Sequence, residues 1–68
     1  MIITVTTEDV AEARNEGTVT MITGTREDGE RVLFAGDWRA IDGLCDAVMA
    51  EGEIQAEVEA WQILGGAL

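Results

Sequence analysis

The chain has 68 residues, with 14 Asp and Glu against four Arg and no Lys or His, giving a net charge of −10. That sign excludes DNA, RNA and anionic lipid as direct partners, because each would be approached against a repulsive field. Ser, His, Lys, Tyr and Pro are all absent, so serine and cysteine triads, Schiff bases and imidazole proton shuttles are excluded, and no enzyme activity, catalytic residue or cofactor is expected.

Hydrophobic residues make up 47% of the chain and charged residues 26%, which predicts a folded core and not a disordered acidic tail. The length predicts one domain, residues 1–68, near the size at which a core becomes marginal and a dimer or a bound partner helps. A single cysteine, Cys45, cannot form an internal disulfide, which fits a reducing cytoplasm. No apolar run reaches membrane-spanning length, and the start "MIITVTTEDV" lacks a basic signal-peptide region, so a soluble protein is expected.

In chain order, "IITVT" at residues 2–6 is rich in β-branched residues and predicts a strand. Thr6 or Thr7 then supplies an N-cap, Glu8 and Asp9 suit the positive end of a helix, and Gly17 suits its left-handed exit. Residues 18–36 read as a hairpin whose turn contains Asp28-Gly29. In "GDWRAIDGLCDAVMAEG", Trp38, Ile41, Leu44, Cys45, Val48 and Met49 recur at helical spacing, with Asp37 to start the helix and Gly52 to end it. Last, "EIQAEVEAWQIL" at residues 53–64 alternates Glu53, Gln55, Glu57 and Glu59 with Ile54, Ala56, Val58 and Ala60. That period predicts a strand, although Ile54, Val58, Trp61 and Leu64 also fit a helical stripe. Trp61 and Ile63 fall on the acidic side, which predicts a bulge or a partner contact at the strand end.

The expected fold class is therefore α+β, in βαββαβ ferredoxin-like order, with two helices on a four-stranded antiparallel sheet. On it, Glu57 and Glu59 lie about 7 Å apart on one face, Glu53 extends the row, and Thr4, Thr6, Thr18 and Thr20 add acceptors. Asp42 and Asp46, one helical turn apart with no Lys to relieve them, repel each other by a few tenths of a kcal/mol. Asp42, Asp46, Glu53, Glu57 and Glu59 are the candidate partner-binding residues; a solvated, solubilising surface is the plain alternative.

A domain of this length is about 28 Å across, and duplex DNA carries about 16 charges over that span. The protein's net charge is of the same order, so its surface suits a basic groove built for nucleic acid. Length, acidity, the missing catalytic residue types and the small α/β pattern resemble those of phage-encoded anti-CRISPR proteins of the DNA-mimic type. That resemblance implies an inhibitor in the host cytoplasm whose partner is a CRISPR effector complex or another basic nucleic-acid-binding protein or ribonucleoprotein.

Other readings are weighed beside it. One is a structural or regulatory interaction domain acting through a homodimer or a sheet edge, with Trp61 and Ile63 at the seam. Another is adaptation to molar salt. "TREDGE" lacks the spaced acids of a calcium loop and predicts a plain hairpin turn, so no metal site is expected. Cys45 and Trp38 read as core residues. "ILGGAL" resembles the diglycine end of ubiquitin-like carriers, but the segment order departs from that family's ββαβ start.

Overall fold

The computed structural model describes residues 1–17, 20–59 and 63–66. Along the chain run β1 (Ile2–Thr6), α1 (Thr7–Asn15), β2 (Met21–Arg26), β3 (Arg31–Ala35), α2 (Trp38–Glu51), β4 (Glu53–Glu57) and β5 (Ile63–Gly66). Local chemistry accounts for each boundary. Thr6 caps α1 through a capping box: its Oγ1 accepts from the Asp9 N–H and the Asp9 carboxylate accepts from the Thr6 N–H at 3.0 Å. Gly17, at φ +77°, turns the chain away after α1. In the hairpin the Arg26 N–H donates to the Glu30 carbonyl at 2.8 Å and the Gly29 N–H to the Arg26 carbonyl at 2.9 Å. Gly29 holds φ +90°, as the three-residue loop between the bonded Arg26 and Glu30 requires. Asp37 starts α2 by accepting the Ala40 N–H at 2.8 Å, and Gly52, at φ +91°, ends it.

The architecture is α+β, with two helices and a sheet whose pairings are all antiparallel. The sheet has five strands in the order β4-β1-β2-β3-β5, which corrects the expected four. The first six elements follow the expected βαββαβ order, and β5 is added after them. In space β1 pairs directly with β2, whereas a split βαβ arrangement inserts a strand between them.

The extra strand arises because residues 53–64 do not form one strand. β4 stops at Glu57, Val58 turns into the core, and Ile63 opens a second strand at the opposite edge, against β3. The break in alternation at Ile63 marks this change of edge. The register between β3 and β5 shifts between Leu33 and Phe34, leaving Leu64 as an extra residue. Gly65 and Gly66 pair with Leu33 and Val32 within the sheet, so the diglycine is not a free carrier tail. Trp61, Ala60 and Thr18 lie outside the described residues.

One sheet face carries the core. Ile3, Val5, Ile22, Val32 and Phe34 pack with Val10 and Ala13 of α1 and with Ile41, Cys45 and Val48 of α2 in a single cluster. Trp38, expected there, is 56% exposed, and Met49 is 54% exposed. At 3.6 residues per turn both sit about 60–80° around α2 from Ile41, on the same flank, past the arc that the sheet covers. Gly24 lies at the tightest strand contact: a Cβ there would overlap Ile3 Cγ2 and lie 3.0 Å from the Thr4 carbonyl oxygen. Gly24→Ala should therefore lower stability by about 1–3 kcal/mol through forced separation of β1 and β2. Urea denaturation of the variant checks this, and an unchanged midpoint would show that the two strands part freely.

Candidate functional site

The placement of positive charge decides what the carboxylates can do. Asp9 is 3% exposed. Its Oδ2 accepts from the Thr6 N–H and hydroxyl, and its Oδ1 accepts from Arg31 Nη2 at 2.5 Å. Arg31 also donates through Nη1 to Thr25 Oγ1 at 2.9 Å. This hydrogen bond from Arg31 to Asp9, opposed by partial burial, raises the Arg31 pKa above its already high value. Arg26 bridges Asp28 at 3.2 Å and Glu30 at 2.7 Å in the hairpin. Arg14 reaches Asp46 across the two helices at 3.5 Å, and the Arg39 guanidinium lies 5.3 Å from the Trp38 ring centroid.

Three of the four arginines thus pair with carboxylates of the fold, and the exposed Arg39 lies beside its neighbour Trp38. Glu57 receives the N-terminal ammonium at 2.9 Å. By contrast Glu8, Glu12, Glu16, Glu27, Asp37, Asp42, Glu51 and Glu53 enter no ion pair among the described residues. Each of these eight is exposed.

The candidate residues fall in two places. Glu53 and Glu57 project from β4 on the face away from the core, with Gln55 between them, and all three are exposed. Their direct neighbours on β1 are Thr6, Thr4 and Ile2. Glu59 is exposed too, but it follows the strand and is not the next tooth of the row, because the ladder with β1 ends before it. Asp42 and Asp46 are exposed on α2, one turn apart as expected, with Asp46 partly compensated by Arg14. Of the expected threonines, Thr4 and Thr6 are half-buried in β1 and Thr20 precedes β2, while Thr23 and Thr25 of β2 share their face instead. Thr6 and Thr25 already serve the cap and Arg31.

Sequence reasoning missed a third acidic group. Glu8, Glu12 and Glu16 recur every four residues along one side of α1, the spacing at which like charges face each other. That signal was present in "TTEDVAEARNEG". Glu12 and Glu16 border a groove of about 250 Å3 whose other walls include Met21, Thr23 and Leu33. Its size is below the ~300–1,000 Å3 of small-molecule sites. Among the described residues no three His, Cys, Asp or Glu side chains converge as metal ligands. No helix there is long and apolar enough to cross a membrane.

Cys45 is buried and free, and burial, reinforced by Asp42 and Asp46 and opposed by Arg14, pushes its thiol pKa up. The chain measures 24 × 21 × 18 Å, the span of about 14 charges on duplex DNA. No family model, curated protein or solved structure matches the chain.

The burial difference between Asp9 and Asp42 sets a contrast in stability. Asp9→Ala removes the carboxylate half of the capping box and the partner of Arg31, and because Arg31 remains partly hydrated the expected cost is about 1–3 kcal/mol. Asp42→Ala at an exposed position should change stability by no more than ~0.5 kcal/mol. Thermal or urea denaturation of the two variants checks the ordering. Equal losses would mean that Asp9 is no anchor.

Proposed function

We propose that this chain is a non-enzymatic inhibitor whose acidic surface occupies the nucleic-acid-binding site of a basic protein or ribonucleoprotein, with a CRISPR effector complex as the leading target. The observation that carries this reading is the partition of charge: Arg14, Arg26 and Arg31 pair with carboxylates of the fold and Arg39 lies beside Trp38, while eight exposed carboxylates have no ion pair within the described chain. Over a body of this size the net charge of −10 is of the same order as the charge of the duplex segment it would displace. Arginines of a DNA-binding groove bind carboxylates well, and steering by opposite charge gives fast association. Asp42 repels Asp46 one turn away, and Glu12 lies between Glu8 and the Glu16 cap at the same four-residue spacing, so part of this charge opposes folding.

Affinity capture from host lysate followed by competition with DNA tests the reading. The captured partner should release DNA as the protein is added, with an effect that weakens as salt rises. Joint reversal of Asp42 and Glu53 to Arg should reduce competition by about tenfold or more with the circular dichroism spectrum retained. A partner that binds DNA equally well in the presence of the protein would remove the mimicry mechanism.

A further inference from the structure

β4 is the outer strand at one end of the sheet. Its ladder with β1 fixes where each backbone group points. The Val58 N–H donates to the Met1 carbonyl at 2.8 Å, and the register continues through Ile3 with Ala56 and Val5 with Ile54. Hydrogen-bonded pairs alternate along an antiparallel ladder. Ile54, Ala56 and Val58 therefore turn their peptide groups toward β1, and Glu53, Gln55 and Glu57 turn theirs outward. The side chains of those same three residues are exposed on one face, while Ile54 and Ala56 pack partly against the core on the other.

We propose that this edge receives an extended segment of the basic partner by strand addition, with Arg or Lys at alternate residues opposite Glu53 and Glu57. The inference rests on the reading of a basic partner and adds how that partner is held. Main-chain hydrogen bonds supply the pairing and the alternating side chains its selectivity. Charge chooses the occupant. A second copy paired antiparallel about Gln55 would set Glu53 directly against Glu57 of that copy, and like charges directly opposite each other destabilise a strand pair. A strand with basic alternate residues converts both positions into favourable cross-strand pairs. It competes at Glu57 with the N-terminal ammonium, which is one exposed contact at 2.9 Å. Small apolar residues between the basic ones would lie over Ile54 and Ala56.

The test uses the full 15N-labelled chain and the peptide acetyl-Arg-Val-Arg-Val-Arg-amide. Shift changes and slowed amide exchange should concentrate at Glu53, Gln55 and Glu57. Gln55→Pro removes an outward N–H and leaves the β1 ladder intact, a position where an edge strand tolerates proline. It should weaken binding about tenfold. The double variant Glu53→Arg, Glu57→Arg should transfer preference to acetyl-Glu-Val-Glu-Val-Glu-amide, which keeps the idea testable if the proline variant unfolds. Absence of shifts along β4, equal binding by a folded Gln55→Pro variant, or retained preference for the arginine peptide after charge reversal would each overturn strand addition. None of these results touches the basic-partner reading, which stands or falls on DNA competition with the captured target.

Discussion

Asp9 joins the first helix to two strands at once. Its carboxylate closes the cap on β1 through Thr6 and reaches β3 through Arg31, which in turn holds Thr25 of β2. Burial makes this arrangement possible and also demands it, because a carboxylate removed from water is tolerable only when its oxygens are hydrogen-bonded to donors of the right charge. The consequence extends beyond α1. With few cations available, the fold commits Arg31 to the interior-facing contact, Arg26 to its hairpin and Arg14 to the junction of the helices.

What is left is a surface on which eight exposed carboxylates have no ion pair among the described residues. At low ionic strength the Debye length, about 30 Å at 0.01 M, exceeds every dimension of the molecule, so the unpaired carboxylates on α1, α2 and β4 repel one another. The core that must withstand this is one cluster of mostly aliphatic side chains, and a domain of this length has little stability to spare. A basic partner would relieve the repulsion and thereby gain affinity without any new apolar contact. That is the physical link between the fold's shortage of cations and the proposed inhibition. The β4 edge adds direction to it, since an outward peptide ladder is selective in a way that diffuse charge is not.

Much of the fold was legible where one residue type dictates a local geometry. The β-branched run of β1, an α1 cap at Thr6 or Thr7, the Asp37 cap and the exits at Gly17 and Gly52 could be read directly, as could the Gly29 turn. What could not be read depends on distant neighbours. Residues 53–64 read as one strand because the alternation runs through Ala60, and only the sheet order shows that 53–57 and 63–66 lie at opposite edges. Trp38 fits a helical apolar stripe in sequence, yet how wide an arc of α2 the sheet covers is a tertiary quantity. For the candidate site, exposure of Asp42, Asp46, Glu53, Glu57 and Glu59 was legible, whereas their pairing was not: Arg14 meets Asp46 from 32 residues away. The repeat of Glu8, Glu12 and Glu16 was open to reading and needed only the four-residue spacing to be applied to α1.

The proposed inhibition rests on exposed carboxylates that oppose folding. That claim is tested most directly by the urea midpoint of a variant carrying Glu12→Gln, Glu16→Gln, Asp42→Asn and Glu53→Gln, measured at 0.01 M and at 1 M salt. If the carboxylates repel one another, the variant should unfold at higher urea than the parent at 0.01 M. The difference should shrink at 1 M, where the Debye length falls to about 3 Å. A variant that is less stable than the parent at low salt would show that these carboxylates hold the fold together, and would contradict the claim.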